Sequence, residues 1–271
     1  MMEKEKEHDA VLRDITASYH AVGIDRDTAH GIDAEVCVED SVNLLINGTR
    51  VASLTITPAD LEAFARGYLV CEGLIRSVKD IRSIDVQWPN VDVSVPSFGG
   101  EDADLWVEIR SSGCVGVKAS WSGLEEPIAS KLSVSKDTIF YSLGFINELA
   151  SNWKKTGGMH CTIIFDAAGG IVSYAEDIGR HNSMDKAVGK ALIQGRDLSR
   201  CFIVCTGRMA GGMVAKAYRA GVPILISNTA PFSTGIDLAR QLNMTLVCFA
   251  RPPRMLVYSG KERISGISYS G

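Results

Sequence analysis

Hydrophobic and polar positions alternate in the first half of the chain as they do in a half-buried sheet. Residues 42–56 form two such runs on either side of Asn47-Gly48, a pair that favours the tight turn of a β-hairpin. Further short alternating segments predict more strands, and they lie at 84–88, 91–95 and 105–110.

Residues 57–73 change to the helical period, with apolar side chains three and four positions apart. Thr57 is the expected N-cap, Pro58 the expected first helical residue, and Gly73 the expected end. We therefore expect a small α+β domain over residues 35–134. Residues 1–34 begin with a charged run and are interpreted as a partly ordered tail.

The second half has a different pattern. A hairpin is predicted around the turn that joins residues 161–165 to 171–175, followed by a helix with apolar residues at helical spacing. Three apolar strands separated by helical stretches then predict parallel pairing through crossovers. They lie at 201–205, 222–227 and 244–249. Residues 135–271 are therefore expected to form an α/β domain.

Composition narrows the class of protein. The chain has 271 residues, 46% hydrophobic and 22% charged, which is typical of a globular protein of one large domain or two smaller ones. A net charge of −4 argues against general nucleic-acid binding. No segment is long and apolar enough to span a membrane, and no signal peptide is evident, so a cytoplasmic protein is expected. Seven scattered cysteines fit reduced thiols better than disulfides.

Polar residues follow the buried strands, where open parallel sheets bind ligands. Arg180 and His181 precede a predicted helix whose expected N-cap is Asn182, and such a helix start attracts anions. Gly207 and Arg208 follow the strand 201–205 in a similar turn. Because arginine suits bidentate binding of phosphate, the two turns together predict a nucleotide pocket.

Arg180 also has a purely structural alternative, which is an ion pair with Glu176 or Asp177. The chain contains neither a P-loop sequence nor a G-x-G-x-x-G motif at a helix start, which argues against ATPases and Rossmann dehydrogenases.

A zinc deaminase site is a third possibility, because His160 precedes a strand of the predicted α/β domain. That chemistry needs H-x-E, whereas this chain has His160-Cys161-Thr162. Cys201 and Cys205 lie four positions apart in one strand, about 13 Å, so they cannot share an ion. We expect no zinc and interpret both cysteines as core residues.

Several longer motifs resemble the FdhD/NarQ family of formate dehydrogenase accessory sulfurtransferases. The segment EDIGRHNSMDK follows the family's E-D-x-G-R-H-N-x-x-D-K, and TGGMH its T-G-G-x-H segment. The resemblance extends from about residue 39 onward. It also includes the segments LEAFARGYLVCEGLI, TGRMAGGMVAKAYRAGVPIL and MTLVCFARPPRMLVY.

The resemblance implies a fold and a function. The fold would be a cytidine deaminase-like α/β/α C-terminal domain joined to a smaller α+β N-terminal domain. The protein would carry persulfide sulfur from a cysteine desulfurase to the molybdenum cofactor, in its bis-molybdopterin guanine dinucleotide form, for a formate dehydrogenase apoenzyme. GDP or GMP would occupy part of the cofactor site. A homodimer is possible.

The resemblance also suggests site residues. The guanine nucleotide part of the cofactor would be held by side chains and turns already noted, with Arg251 and His160 as further candidates. That set is Arg180, His181, Asn182, Gly207, Arg208, His160 and Arg251. Asp185 and Lys186 also match motif positions, although helical phase makes a structural role for Lys186 equally plausible.

Cys114 is the candidate sulfur carrier. From its neighbours alone it could be a metal ligand, a nucleophile or an ordinary residue of a Ser/Gly-rich loop at 111–120. The resemblance favours a persulfide on a mobile loop, and Lys118 would favour the thiolate. The family loop usually has two cysteines, whereas this chain has one. The missing cysteine aligns with Gly113, Gly116 or Val117.

A second departure concerns the predicted pocket. Ala210 and Gly212 stand where the family prefers serine and glutamate. Two other functions therefore stay open. A binding-only chaperone would hold the cofactor or apoenzyme without moving sulfur, and a deaminase-type hydrolase would convert a nucleotide, although it lacks the required glutamate.

Overall fold

The computed structural model describes residues 13–96, 106–110, 114–118 and 124–268. For 106–110 and 114–118 it gives the backbone and its strand pairing. The described residues of the N-terminal part form eight strands and one α-helix. They are β1 (Thr16–Asp25), β2 (Thr28–Cys37), β3 (Asp40–Ile46), β4 (Thr49–Ile56), α1 (Leu61–Cys71), β5 (Ser83–Gln87), β6 (Asn90–Ser94), β7 (Trp106–Arg110) and β8 (Cys114–Lys118).

Strands β1 and β2 form an antiparallel hairpin of their own. Residues 16–34 of the segment interpreted as a partly ordered tail are thus regular strands that the sequence did not predict, and residues 1–12 lie outside the described part. The pattern was missed because both strands are largely exposed, so no period of buried residues marks them.

The other six N-terminal strands form one sheet in the order β5-β6-β3-β4-β8-β7. The predicted hairpin is confirmed, with Asn47 and Gly48 at positive φ between β3 and β4. Helix α1 packs on this sheet through Phe64, Tyr68 and Leu69. Its predicted end near Gly73 is confirmed.

The predicted start of α1 is wrong. The helix begins at Leu61, and its N-cap residue is Asp60 in the left-handed region, without a side-chain cap. Thr57 is buried instead, and its hydroxyl accepts a hydrogen bond from the Ile178 backbone N–H. The Thr57 hydroxyl therefore bonds to the second half of the chain instead of capping α1.

The C-terminal part contains five helices and eight strands. They are β9 (Val134–Ser135), α2 (Lys136–Leu149), α3 (Ser151–Thr156), β10 (His160–Asp166), β11 (Ile171–Asp177), α4 (Arg180–Ile193), β12 (Cys201–Cys205), α5 (Gly211–Arg219), β13 (Ile224–Ser227), α6 (Ser233–Gln241), β14 (Thr245–Arg251), β15 (Arg254–Ser259) and β16 (Ile264–Ser265).

Six of these strands form the second large sheet, in the order β11-β10-β12-β13-β14-β15. The predicted parallel pairing of β12, β13 and β14 is confirmed, and so is the β10–β11 hairpin. Helices α4, α5 and α6 pack on one face and α2 on the other, which gives three layers. Within the described residues no helix is long and apolar enough to cross a membrane.

The two parts meet where α1 crosses α4 backbone to backbone. A Cβ at Gly67 of α1 or Gly189 of α4 would overlap the facing helix, the first against the carbonyl of Asp185 and the second against that of Ala63. Only glycine permits this approach. The segment 124–133, assigned by sequence to the N-terminal domain, packs on the C-terminal core through Leu124 and Ile128.

Candidate functional site

The predicted site lies at one edge of the C-terminal sheet. The carboxyl ends of β11, β12 and β13 meet there, together with the start of β10, because β10 runs antiparallel to β11 and β12. Helix α4 follows β11 and helix α5 follows β12, so both helices begin at this edge.

Thr206, directly after β12, holds the start of β10 in place. Its hydroxyl accepts a hydrogen bond from the Cys161 backbone N–H at 3.0 Å and contacts His160 Nδ1 at 3.2 Å. The Thr206 N–H donates to the Cys161 carbonyl at 3.0 Å. The half-buried His160 ring therefore has a fixed position beside the β12 turn.

Two arginines act on that imidazole. Burial first, and then the positive charges of Arg180 and Arg208, lower the pKa of His160 below its usual 6.5. The neutral ring is favoured, so the positive charge of the site resides on the guanidinium groups. This supports the predicted convergence of Arg180, Arg208 and His160, and a pocket suited to an anion.

Gly207 has no side chain, and this leaves room for Arg180. A Cβ there would lie 2.8 Å from the Cβ of Arg180, so any larger residue would displace that arginine. Arg208 is exposed, and its guanidinium lies 5.4 Å from the ring centroid of Phe232. Gly207 thus leaves room for the Arg180 side chain, and the Phe232 ring packs near the Arg208 guanidinium.

His181 and Asn182 differ from the sequence prediction in position. Helix α4 begins at Arg180 with Gly179 as the N-cap residue, so Asn182 does not cap it, and Arg180 and His181 are its first residues. A Cβ at Gly212 would lie 3.5 Å from His181 Nε2. The glutamate that the family prefers there would start beside this imidazole, and in this chain that carboxylate is missing.

Asn182 is buried and structural. Its side-chain amide donates to the Thr55 carbonyl and to Asp177 Oδ1, each at 3.0 Å. These bonds hold Asn182 between the two parts of the chain. Its predicted role as the N-cap of α4 is wrong, whereas the nucleotide-binding role that the family resemblance suggests stays a prediction.

The acidic residues considered as partners of Arg180 have other contacts. Glu176 accepts hydrogen bonds from the Asn152 amide and backbone and from the Trp153 backbone, and so caps α3. Asp177 pairs with Lys186 at 2.6 Å, and both side chains are fully buried. Lys186 is thus structural, as helical phase allowed.

The segment after β13 adds residues that sequence reasoning did not select. The Asn228 backbone N–H donates to the Cys205 carbonyl, whereas its Oδ1 is buried and has no hydrogen-bond partner within the described part of the chain. Phe232 is 41% exposed beside Arg208. The usable signal was that Asn228 and Thr229 directly follow a buried parallel strand.

Arg251 lies farther from the others. It is the last residue of β14, pairs with Arg254 in the hairpin to β15, and is exposed. Strand β14 is two strands from β12, about 10 Å across the sheet. The structure therefore brings together His160, Arg180, His181 and Arg208 and leaves Arg251 outside this group.

Cys114 begins strand β8, so its predicted place within a loop is wrong, although 111–113 and 119–120 lie outside the described residues. Val115 is paired with Ser53 of the antiparallel strand β4. Continued by one residue, this register sets the Cys114 backbone opposite Leu54, next to Thr55, whose carbonyl accepts the Asn182 hydrogen bond. Strand β8 therefore begins beside the end of β4 that contacts the first turn of α4.

Five of the six cysteines with described side chains are buried, which confirms that Cys201 and Cys205 are core residues. Burial raises the pKa of Cys161 and Cys248 to about 12 and that of Cys201 to about 11, so these thiols stay protonated. Cys37 is half-buried and donates to the Thr156 hydroxyl. The described residues include no cluster of three or more His, Cys, Asp and Glu that could hold a metal ion.

Comparison with known proteins gives consistent matches. The model of the FdhD/NarQ family matches residues 37–265. The sulfur carrier protein FdhD of Methanothermobacter thermautotrophicus is 36% identical over 239 residues, which cover 88% of this chain and 94% of that protein. The protein of the same name from Picrophilus torridus is 34% identical over 258 residues, covering 91% and 98%.

A solved structure is also similar. It is the crystal structure of a protein from Desulfotalea psychrophila proposed to be a formate dehydrogenase accessory protein. The TM-score is 0.77 at 26% sequence identity, and the match covers 93% of this chain and all of that one.

Proposed function

This chain belongs to the FdhD/NarQ family, and from that premise we propose that it is a sulfur carrier that serves the maturation of a formate dehydrogenase. The observation that carries the proposal is that the Thr206-Gly207-Arg208 turn contacts His160 through Thr206 and packs on Arg180 at Gly207, while β8, which begins at Cys114, pairs with the strand β4 that contacts the first turn of α4. The candidate cofactor-binding edge and the strand of the candidate sulfur carrier are thus connected through β4.

In the proposed first step, the Cys114 thiolate attacks the terminal sulfur of a cysteine desulfurase persulfide. A sulfur–sulfur bond forms on Cys114 while the donor's bond breaks, and the donor leaves as a thiolate. In the second step a reduced molybdenum centre supplies the electron pair that bonds the terminal sulfur. Cys114 is then released as a thiolate and can be loaded again.

The acceptor in this proposal is the molybdenum cofactor in its bis-molybdopterin guanine dinucleotide form. The two guanidinium groups and the first N–H groups of α4 suit its diphosphate. The buried Asn228 Oδ1 is an acceptor for a guanine N–H, and the exposed Phe232 ring offers a stacking surface. GDP or GMP would fill the same places.

The neutral imidazole of His160 lines this pocket without adding charge. The partners in this proposal are a cysteine desulfurase and a formate dehydrogenase apoenzyme, in the cytoplasm. The deaminase-like arrangement of the three-layer domain and a homodimer stay predictions.

Mass spectrometry after incubation with a cysteine desulfurase and cysteine tests the carrier step. We expect one added sulfur on the peptide that contains Cys114, lost on reduction and absent from Cys114→Ala. Cys37→Ser is the matched control, because Cys37 is the half-buried residue among the six cysteines with described side chains. Sulfur on Cys37 alone, or on neither residue, would contradict the proposal and favour the binding-only chaperone.

Calorimetric titration with GDP tests the pocket independently. Arg180→Ala should weaken binding by about tenfold or more, because it removes a charge-assisted hydrogen-bond donor. Arg196→Ala, which changes an exposed arginine beyond the far end of α4, should leave the affinity unchanged. Equal affinities for the three proteins would exclude this edge as the nucleotide site.

A further inference from the structure

Asp177 and Lys186 form an ion pair from which water is excluded. The Lys186 Nζ lies 2.6 Å from Asp177 Oδ2, and both side chains are fully buried. Burying two charges costs desolvation energy, and such a pair is weak evidence of stabilisation by itself. What distinguishes this pair is the set of groups that complete its hydrogen bonds.

The pair binds the link between β4 and α1. Lys186 Nζ donates to the Thr57 carbonyl at 2.8 Å, and the Thr57 N–H donates to Asp177 Oδ2 at 3.1 Å. The Thr57 hydroxyl accepts from the Ile178 N–H at 3.2 Å. One residue of the N-terminal part is thus held through its carbonyl, its N–H and its side chain.

The same carboxylate holds the turn that begins α4. Asp177 Oδ1 accepts from the Gly179 N–H at 2.8 Å and from the Asn182 amide at 3.0 Å. Asn182 in turn reaches the Thr55 carbonyl of β4. Arg180 and His181, two candidates for the anion pocket, lie between these two bonded residues.

On the other side of the link, β4 pairs with the strand that begins at the candidate sulfur carrier. Strand β8 pairs with β4 through Ser53 and Val115, so the position of β4 sets that of Cys114. On one side the ion pair therefore contacts the link after β4, whose partner strand begins at the candidate sulfur carrier. On the other side it contacts the Arg180 turn, where the proposed acceptor binds.

We propose that Asp177 and Lys186 are positioning residues, which hold the strand pair carrying Cys114 in register with the Arg180 turn. The proposal rests on the proposed function for its biochemical meaning, because it concerns delivery of sulfur from Cys114 to an acceptor bound at that turn. Neither residue touches the sulfur or the acceptor. Loading of Cys114 by the donor needs only the thiolate, whereas delivery needs both halves in register.

A distance measurement tests the clamp without relying on sulfur chemistry. Nitroxide labels would be attached to Cys114 and to Asp237→Cys, an exposed position on α6, in a Cys37→Ser background, and measured by pulsed dipolar spectroscopy. We expect one narrow distance distribution in this parent and a broader or displaced one in Lys186→Met. Thr57→Val, which keeps the shape but removes the hydroxyl acceptor, provides a milder variant if Lys186→Met does not fold.

The matched control is Lys190→Met. Lys190 lies one turn further along α4 and also reaches the N-terminal part, through a surface ion pair with Asp60 at 2.7 Å. It should leave the distribution narrow. A broad distribution in the parent, or folded Lys186→Met and Thr57→Val proteins with an unchanged distribution, would overturn the proposal.

A paired assay separates the steps of sulfur transfer. Lys186→Met should be loaded by the desulfurase at the parent rate, while activation of a formate dehydrogenase falls by about tenfold or more through misplacement. Equal loss in both steps would indicate a merely structural role and contradict positioning. If the parent itself is never loaded, the proposed function fails, and the distance measurement still decides whether the clamp exists.

Discussion

Two buried ionic clusters connect the same two parts of the molecule in different ways. Near the site, one lysine faces one carboxylate, in the Lys186–Asp177 pair. At the other cluster, Lys216 of α5 contacts both Glu72, which follows α1, and Asp185 of α4, at 2.7 and 2.8 Å. In the first cluster one lysine has one carboxylate partner, whereas in the second Lys216 is shared between two carboxylates, and the Arg219 side chain lies close by, against Gly73.

The difference appears in what surrounds the carboxylates. Asp177 accepts three N–H hydrogen bonds besides that of the lysine, one from the Thr57 backbone in the β4–α1 link and one from the Gly179 backbone in the turn before α4. In the other cluster, burial raises the pKa of Asp185 to about 6, with Glu72 adding to the rise and Lys216 opposing it. The pair near the site sets backbone positions. The triad of Lys216, Glu72 and Asp185 joins three helical segments, and its contribution to the free energy of unfolding depends on pH.

Removing the shared ammonium gives the largest expected effect. Lys216→Met leaves two buried carboxylates facing each other and should lower the free energy of unfolding by about 3–5 kcal/mol. Lys186→Met should cost less, about 1–3 kcal/mol, because Asp177 keeps its other donors. Urea unfolding followed by circular dichroism measures both. Equal losses, or the reverse order, would contradict the distinction between the clusters.

Separating α1 from α4 should disturb both clusters together. Gly189→Ala puts a methyl group into the Ala63 carbonyl, so the helices must move apart, and we expect a loss of about 3 kcal/mol. Gly144→Ala is the matched control, since this helical glycine of α2 is exposed and has open space around it. It should gain about 0.5–1 kcal/mol from helix propensity. A neutral Gly189→Ala would show that the close crossing is not required.

The burial of Asp185 predicts a pH effect. The pKa of Asp185 in the folded chain is about 6, above the usual 3.8, so between these values the folded chain holds a proton that the unfolded chain has lost. Its contribution to stability therefore falls as the pH rises through this window, by up to about 3 kcal/mol in total.

Asp185→Asn should remove that dependence. The difference in unfolding free energy between the parent and this variant should change steadily from pH 4 to pH 6, with the parent losing stability relative to the variant. Urea unfolding at intervals of pH measures it. A difference that is independent of pH would mean that Asp185 is ionised throughout and that the triad has no excess proton.

These contrasts also show which parts of the fold could be predicted from the sequence. The hairpin at Asn47-Gly48 and the parallel strands β12, β13 and β14 were predicted correctly, because turn chemistry and buried apolar runs are local signals. The exposed hairpin β1–β2 was missed, since its strands lack a buried face. The arginine turns were found because each follows a strand whose end lies at a ligand-binding edge.

What the sequence determined by itself was the Asn47-Gly48 hairpin, the parallel strands β12, β13 and β14, and the edge at which Arg180, His181 and Arg208 would gather. The tertiary structure decided how individual polar groups are used. Thr57 and Asn182 both have the chemistry of N-cap residues, yet each is buried in a contact between the two halves of the chain. A polar side chain bonds to the nearest unpaired backbone groups, and in a folded protein these can belong to a residue more than a hundred positions away, as the Ile178 N–H does for Thr57 and the Thr55 carbonyl for Asn182.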